Sequence, residues 1–165
     1  MENKNRIENF EEEIRFKIRN QTFTNKIDLD QYIKWNTLAG IIFVNCHFDE
    51  LDLLGKVFRS CDFNHVSFQK CQFSHWKFEH CQIMNSDLTR AEFDDSSFRN
   101  SQFLKSDLAA SDFRRCELIE TTFKNSNLDR IVARDLKWCK SNEPIEIKMS
   151  SNFKEILKNL ECVEE

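Results

Sequence analysis

Cysteine and histidine are the residue types in this sequence that could most readily do chemistry. The chain has seven cysteines and four histidines, the latter being His47, His65, His75 and His80. Two of these histidines lie between Cys71 and Cys81 along the chain, and imidazole and thiolate groups are common zinc ligands. A zinc site needs about four side chains that converge on one point. Whether these residues converge depends on the elements that position them.

Other signals of catalysis or of a special location are weak. Gly40 and Gly55 are the only glycines, too few for the glycine-rich loops that bind nucleotides. Residues 1–6 are polar and lead into acidic residues, which is not the pattern of a signal peptide. No apolar stretch approaches the roughly 20 residues that cross a bilayer. The sequence therefore predicts a cytoplasmic protein with reduced thiols, no membrane segment and no cofactor.

A period of five residues runs through most of the chain. With the exception of Ala133, every fifth residue in one phase is large and apolar, and these centre positions hold twelve of the 16 phenylalanines. The centres are Phe43, Phe48, Leu53, Phe58, Phe63, Phe68, Phe73, Phe78, Ile83, Leu88, Phe93, Phe98, Phe103, Leu108, Phe113, Leu118, Phe123, Leu128, Ala133 and Trp138.

A second series lies two residues before each centre and consists mostly of small or apolar residues. It includes Cys46, Cys61, Cys71, Cys81 and Cys116. The other three positions of each pentad are mainly polar and hold all four histidines. We therefore expect these cysteines to be buried as compact apolar residues and the histidines to be solvated, which predicts no metal site.

A period of five fits neither a helix nor a continuous strand. It fits a short extended piece whose first and third residues point the same way, followed by a corner that resets the phase. Such pieces can wind into a coil whose turns stack at about 4.8 Å. The stacked turns would bury the two apolar series in a filled interior, which leaves no pocket for a substrate. The sequence thus predicts a repeat protein that is not an enzyme.

The pentads resemble the pentapeptide-repeat proteins, whose consensus is Ala-(Asp/Asn)-Leu-x-x. Matching triplets begin at Ser86, Ser106, Ser111, Ser126 and Cys61. The resemblance implies an all-β, right-handed quadrilateral β-helix with four pentads per coil, so that residues 41–140 form about five coils. Cys61 and Cys81 would then stack on adjacent coils, where free thiols are expected rather than a disulfide. Lys56 departs from the pattern and is expected to escape through the open end of the first coil.

The ends of the chain do not follow the pentad pattern. Residues 1–40 are predicted to form an N-terminal cap with an imperfect first coil. In residues 141–165, Pro144 precedes an alternating stretch that predicts a strand, and apolar residues at helical spacing then predict a short helix over residues 152–161. This C-terminal region resembles that of gyrase-protecting family members, and the helix either caps the core or forms a homodimer through Phe153, Ile156, Leu157 and Leu160.

The quadrilateral repeat assigns every outward residue to one of four sides. Side 1 has the centres Phe43, Phe63, Ile83, Phe103 and Phe123; side 2 begins at Phe48, side 3 at Leu53 and side 4 at Phe58, each in steps of twenty. The net charges are +1, −2, −3 and +2 for sides 1 to 4. Sides 2 and 3 therefore form an acidic double face, and its predicted interaction residues are Asp49, Glu50, Asp52, Asp87, Glu92, Asp94, Asp95, Asp107 and Asp112.

Two functions follow from these surfaces. The acidic double face resembles that of family members that mimic DNA, which implies a partner such as DNA gyrase or topoisomerase IV, no direct contact with nucleic acid, and protection of that enzyme from a quinolone or toxin. The loop insertions of several quinolone-resistance proteins are absent here. The alternative is a general protein-interaction scaffold that uses the apolar residues of side 1, around Met84 and Leu104.

Overall fold

The computed structural model describes residues 15–24, 26–53, 55–140 and 143–147. These residues form a four-sided solenoid with two mainly parallel sheets on adjacent sides, side 4 and side 1. Sheet 1 lies on side 1 and has the strand order β1-β3-β5-β7-β9-β11. Its strands are β1 (Phe16–Arg19), β3 (Ile41–Val44), β5 (Asp62–Asn64), β7 (Gln82–Met84), β9 (Gln102–Leu104) and β11 (Thr122–Lys124).

Sheet 2 lies on side 4 and has the strand order β13-β12-β10-β8-β6-β4-β2. Its strands are β2 (Thr37–Ala39), β4 (Val57–Arg59), β6 (Lys77–Glu79), β8 (Ser97–Arg99), β10 (Glu117–Ile119), β12 (Leu136–Lys140) and β13 (Glu143–Ile147). Sides 2 and 3 are held by isolated parallel bridges in the same register, such as Ser67 with Asp87 and Gln72 with Glu92. Every regular coil therefore advances by twenty residues.

The interior is a set of stacked side chains at the centre positions. Phe43 stacks on Phe63 with ring centroids 5.1 Å apart and planes at 2°. Phe103 stacks on Phe123 at 4.8 Å and 0°. These spacings match the distance of about 4.8 Å between neighbouring strands, so the backbone spacing brings identical rings into contact. All centre residues are buried, and the period of five predicted this arrangement.

The chain turns its corners almost without glycine. Every fifth residue from Asn45 to Asp135 has a φ between 49° and 62°, which costs a residue with a side chain about 1–2 kcal/mol. Each corner is compensated by the coil stacked on it. The backbone N–H of Asn45 donates to the carbonyl of Asn64 at 3.1 Å, and that of Glu50 donates to the carbonyl of Gln69 at 2.9 Å.

The N-terminal coil, residues 16–39, is longer than the others. Its register with the next coil is offset by 25 residues on side 1, where Ile18 pairs with Phe43, and by 20 residues on side 4, where Leu38 pairs with Phe58. The five extra residues belong to side 3, where a short helix α1 (Lys26–Asp30) replaces the extended pentad. Leu29 of this helix is fully buried and closes the core.

The prediction that Lys56 escapes through the open end is wrong. Lys56 is only 8 % exposed, and its Nζ lies 2.7 Å from Oδ1 of Asp30, the last residue of α1. The helix thus covers the position through which the side chain would have left. A buried ammonium needs an opposite charge, and Asp30 supplies it.

The C-terminal edge of sheet 2 is covered by an antiparallel strand. β13 pairs with β12 so that Leu136 faces Ile147 and Cys139 faces Pro144. A proline is compatible with this place because β13 is an edge strand. The predicted helix over residues 152–161 lies outside the described residues. In the part of the chain that the structure describes, no helix is long and apolar enough to cross a membrane.

Candidate interaction surfaces

At many centres the residue two places earlier provides a side-chain hydrogen-bond donor. Ser106 Oγ donates to the carbonyl of Ile83 at 3.2 Å, and Cys81 Sγ donates to that of Phe58 at 3.4 Å. The indole Nε1 of Trp76 reaches the equivalent carbonyl of Leu53. Each donor satisfies the carbonyl of a centre residue one coil earlier. These hydrogen bonds explain why cysteine, serine and threonine are frequent at this position, although aliphatic residues such as Val66 and Ala91 also occupy it.

Three of the buried cysteines, Cys46, Cys71 and Cys116, are poor nucleophiles because burial favours the neutral thiol, whereas the hydrogen bond with Cys81 lowers the pKa of Cys61. Burial raises the pKa of Cys71 to about 12, and it also raises the pKa of Cys46 and Cys116. The thiolate is the reactive form of cysteine. The cysteines that the structure describes are all free thiols, and of these Cys139 is the one that is partly exposed. This arrangement assigns the ladder of cysteines to packing.

The four histidines lie on the outside, as the pentad pattern predicted. His65, His75 and His80 occupy corners with positive φ, and His47 lies 3.8 Å from Asp49. All four are exposed. Among the described residues, no group of three or more His, Cys, Asp and Glu side chains could hold a metal ion.

Several of the predicted interaction carboxylates bind their own backbone. Oδ1 of Asp87, Asp107 and Asp112 accepts a hydrogen bond of 2.9 Å from the backbone N–H two residues further on. This short loop is the Asx turn, and it helps to form the corner. Asp49 accepts hydrogen bonds from Ser67 Oγ and from the backbone N–H of Gln69, one coil later. These four carboxylates contribute to the fold, so they present less free charge to a partner than the sequence suggested.

Other members of the predicted acidic face are paired with bases. Lys70 lies 2.6 Å from Glu50 and holds the pKa of that carboxyl below its usual value. Arg115 reaches both Asp94 and Asp95, and its hydrogen bonds lower the pKa of Asp95. Because these partners lie one coil away, twenty residues or so along the chain, the pairs become visible only after the chain is wound.

Asp52 and Glu92 are the two predicted acidic residues that remain. Both are exposed on side 3, in the row of bridges that runs from Asp52 through Gln72 and Glu92 to Asp112. No basic partner contacts either carboxylate within the described part of the chain. The acidic double face is therefore reduced to a few free charges.

The corner between sides 2 and 3 is basic, and the net charge of each side did not reveal this. Lys70, Arg90 and Arg130 lie one above another at this corner, and Ala110 interrupts the column. They line a shallow cleft of about 250 Å³ together with Gln69, Thr89 and Ala109. The cations lie between the carboxylates of the two sides, so the double face is an alternation of charges instead of a continuous acidic surface.

Side 1 carries the fewest charges and the most apolar outward residues. Ile42 and Val44 of β3, Met84 of β7 and Leu104 of β9 are each half-buried on its outer surface. Its one carboxylate, Asp62, lies 2.6 Å from Arg15. The outer surface of sheet 1 is thus partly apolar, and its other outward charges are basic: Lys17, Arg19, Lys105 and Lys124.

An exposed aromatic group at the N-terminal coil was missed by the sequence analysis. Trp35 is 98 % exposed and Phe16 57 % exposed, and the ring centroid of Tyr32 lies 5.9 Å from that of Phe16. The one available signal was that these aromatic residues do not fit the pentad phase. The proposed dimer residues Phe153, Ile156, Leu157 and Leu160 lie outside the described residues.

The sequence also matches a known family. The model of the pentapeptide repeat region matches residues 41–123, so the chain belongs to the pentapeptide-repeat family. The predicted all-β, right-handed quadrilateral solenoid of about five coils is confirmed. No curated protein matches the sequence.

Solved structures show the same fold at low sequence identity. A pentapeptide repeat protein from the thylakoid lumen of Arabidopsis thaliana is 16 % identical with a TM-score of 0.52, over 70 % of this chain and 72 % of that one. QnrB1, a plasmid-mediated fluoroquinolone resistance protein, is 16 % identical with a TM-score of 0.45, over 70 % and 67 % of the two chains. HetL, involved in heterocyst differentiation regulation in Nostoc, is 10 % identical with a TM-score of 0.27, over 71 % and 82 %. The likeness to the Arabidopsis protein supports the fold alone and leaves the function open.

Proposed function

We propose that this protein is a non-catalytic, protein-binding rod that uses the outer surface of sheet 1 as its main contact surface. The main observation is the composition of side 1, where Ile42, Val44, Met84 and Leu104 lie outward on one sheet. Apolar residues gathered on one surface often mark a protein contact. The stacked interior supports a binding role, since its centre residues are buried and fill the space that a substrate pocket would need.

Electrostatics supports the same surface. A partner that covers side 1 would bury one carboxylate, Asp62, together with its partner Arg15. On sides 2 and 3 a partner would have to compete with Arg115 for Asp94 and Asp95. Desolvating such ion pairs is costly, so side 1, which carries fewer charges, is the easier one to cover.

Site-specific photocrosslinking in cells tests this proposal. A benzophenone amino acid at Leu104 is expected to give a discrete adduct with one partner, whereas the same group at Ile119 is not. Ile119 is the matched control because it is a half-buried outward residue of sheet 2. The double variant Met84→Glu/Leu104→Glu should remove the partner while keeping the thermal unfolding of the wild type. Equal adducts from both positions, or binding that survives the double variant, would contradict the proposal.

Protection of a type II topoisomerase is the second candidate. Asp52 and Glu92 favour it, because these exposed carboxylates have no basic partner within the described residues and lie two coils apart on one side. Two coils correspond to about 9.6 Å at strand spacing. The field of sides 2 and 3 could still guide the rod to a basic surface such as the DNA-binding groove of gyrase or topoisomerase IV. Quinolone or toxin resistance would follow from occupying that groove.

A supercoiling assay with purified gyrase separates the two candidates. Under DNA mimicry the protein should inhibit supercoiling or rescue it from a fluoroquinolone, and Asp52→Lys/Glu92→Lys should lose the effect. The double variant on side 1 serves as the control and should keep it. If neither gyrase nor topoisomerase IV responds to the wild-type protein, topoisomerase protection is wrong and the scaffold proposal stands alone.

We further propose a cytoplasmic homodimer. The free thiols of the described cysteines support a reducing compartment, and the apolar spacing of Phe153, Ile156, Leu157 and Leu160 supports association through the C-terminal residues. Light scattering after size exclusion should give twice the chain mass of 19.8 kDa. Leu157→Glu should return the mass to one chain, and a wild-type monomer would rule out the dimer.

A further inference from the structure

The N-terminal coil displays a tryptophan at the tip of a tight hairpin. Lys34 and Thr37 form an antiparallel bridge, with hydrogen bonds of 3.0 and 2.8 Å in the two directions. The two residues between them, Trp35 and Asn36, have φ values of 51° and 62°. Positive φ at both central residues is the pattern of the type I′ turn, which strongly prefers Asn-Gly over larger residues. A bulky aromatic side chain at the first of these positions is unfavourable for the backbone.

The hairpin is held in place by the regular coils. The side-chain amide of Asn36 donates to the carbonyl of Gly55 at 2.8 Å, and the carbonyl of Asn36 accepts from the N–H of Val57 at 3.1 Å. The fold therefore fixes Trp35 in a strained position where it gains no packing, since the residue is 98 % exposed. Strain that persists without a packing benefit is frequent at binding sites.

A cleft of about 550 Å³ lies next to this tryptophan. Phe16, Tyr32, Trp35 and Ile41 provide its apolar surface, and Lys34 and Arg59 are the charged residues among those that line it. None of the lining residues is acidic. Arg59 is already bonded to Glu79 at 2.8 Å, so Lys34 is the main source of positive charge beside the aromatic rings. This combination complements an acidic chain that carries apolar side chains.

The cleft also borders the N-terminal end strands of both sheets, β1 and β2, as far as the described residues show. β2 is the last strand of sheet 2 on the N-terminal side, and β1 is the last strand of sheet 1. Edge strands can accept the backbone of an extended peptide, with alternate side chains entering a neighbouring pocket. The shape of the site therefore suits an extended segment better than a helix.

We propose that this N-terminal cleft binds an extended acidic peptide segment of a partner protein, with an aromatic or aliphatic side chain of the peptide packed among Phe16, Tyr32 and Trp35. Lys34 binds an acidic residue that flanks this side chain. The site lies at one end of the rod, so a partner on side 1 and a peptide in the cleft can bind at the same time. This binding is separate from the proposed contact surface of sheet 1.

Fluorescence anisotropy with the full-length protein tests the proposal. The probe is a fluorescein-labelled synthetic peptide in which glutamate alternates with phenylalanine and leucine, and a second probe has lysine in place of glutamate. The acidic probe should bind saturably, and the basic probe should bind at least about tenfold more weakly. Trp35→Asn should weaken the binding of the acidic probe at least about tenfold, as expected for a central aromatic contact.

The variants are chosen so that folding does not confuse the result. Asparagine readily adopts positive φ, so Trp35→Asn should preserve the hairpin and keep or raise the thermal stability. Lys34→Glu should weaken the binding of the acidic probe while leaving every aromatic contact in place. Val132→Ser is the matched control, because Val132 is an exposed apolar residue near the other end of the rod. This variant should bind the acidic probe with the affinity of the wild type.

Three results would overturn the proposal. The first is no saturable binding of the acidic probe by the wild-type protein, and the second is unchanged binding by both Trp35→Asn and Lys34→Glu. The third is an intramolecular cross-link from a benzophenone group at position 35 to residues 1–14 of the same chain, since this would make the chain itself the occupant.

Discussion

The regular coils and the N-terminal coil fill the same cross-section with different residues. In the regular coils, aromatic and aliphatic centres repeat every twenty residues and stack on themselves, as Phe78 does on Phe98 with ring centroids 4.6 Å apart. In the N-terminal coil, Phe23 still stacks on Phe48 at 4.4 Å. Side 3, however, is closed by the helix α1 and by the ion pair between Asp30 and Lys56.

This difference shows where the solenoid can carry specific features. In a regular coil the inward positions are needed for stacking, the corners for positive φ, and many outward carboxylates for Asx turns. Few positions are free to vary independently. The five extra residues of the N-terminal coil remove that constraint, and this coil holds both the strained Trp35 and the largest cleft described above.

The largest expected effect comes from the stacked core. Phe98→Ala should lower the free energy of unfolding by about 3–5 kcal/mol, because it leaves a cavity between two coils that cannot collapse. Phe23→Ala should cost about half as much, since an end coil can open without the rest. Chemical denaturation followed by circular dichroism measures both changes. Equal losses would mean that the N-terminal coil unfolds together with the regular coils.

The ion pair under α1 is the next test of the comparison. Asp30→Ala should destabilise the protein by about 2 kcal/mol, because it leaves the ammonium of Lys56 buried without its partner. This is less than for a fully buried pair, since the Asp30 side chain is 48 % exposed. Lys56→Met removes the charge itself and should be close to neutral. If Lys56→Met is the more damaging of the two, the pair is a source of net stability and our interpretation is wrong.

The hydrogen-bonded ladder of the regular coils has a smaller effect. Ser106 Oγ accepts from the backbone N–H of Ser86 at 3.3 Å and donates to the carbonyl of Ile83 at 3.2 Å. Ser106→Ala should therefore cost about 1–2 kcal/mol, because it leaves buried polar groups without a partner. Ser106→Cys is the control and should cost less, as Cys61 and Cys81 occupy equivalent positions. An equal loss in both variants would point to side-chain volume and not to hydrogen bonding.

The smallest expected effect concerns the exposed pair of Arg115 with Asp95. Arg115 lowers the pKa of Asp95 in the folded state, so the pair stabilises the protein above the pKa of the unfolded chain, about 3.9, and this contribution is lost as the pH falls through the folded value. Arg115→Gln should slightly lower the melting temperature at neutral pH and leave it unchanged in strong acid. Arg99→Gln serves as the control on side 4. A difference that persists in acid would rule out the ion pair as its cause.

Much of the fold could be predicted from the period of five residues. The phase of Phe43 through Trp138 identified the buried centres, and the small series before it located the buried cysteines such as Cys61 and Cys116. These predictions succeed because each pentad repeats the same local geometry, and stacking then requires the same residue class in each coil. Trp76 interrupts the small series, and only the structure shows that its indole replaces a thiol or hydroxyl as the donor.

The candidate surfaces could be predicted only in part. Assigning residues to sides gave the correct set of outward carboxylates, but it could not show that Asp94 and Asp95 share Arg115 or that Lys70 covers Glu50. Such pairs depend on side-chain torsions across neighbouring coils. The cleft beside Trp35 was missed because the pentad pattern does not extend to that coil.

By itself, the sequence determined the period of five residues, the inward positions and the outward ones, and the resemblance to the family implied the four sides of each coil. The tertiary structure alone decided which carboxylates remain free, where Lys56 goes and what the N-terminal coil presents. The physical reason is the distance along the chain over which each interaction acts. The period acts within each pentad, whereas ion pairs, the α1 cap and the Trp35 hairpin depend on residues brought together from about twenty positions or more along the chain.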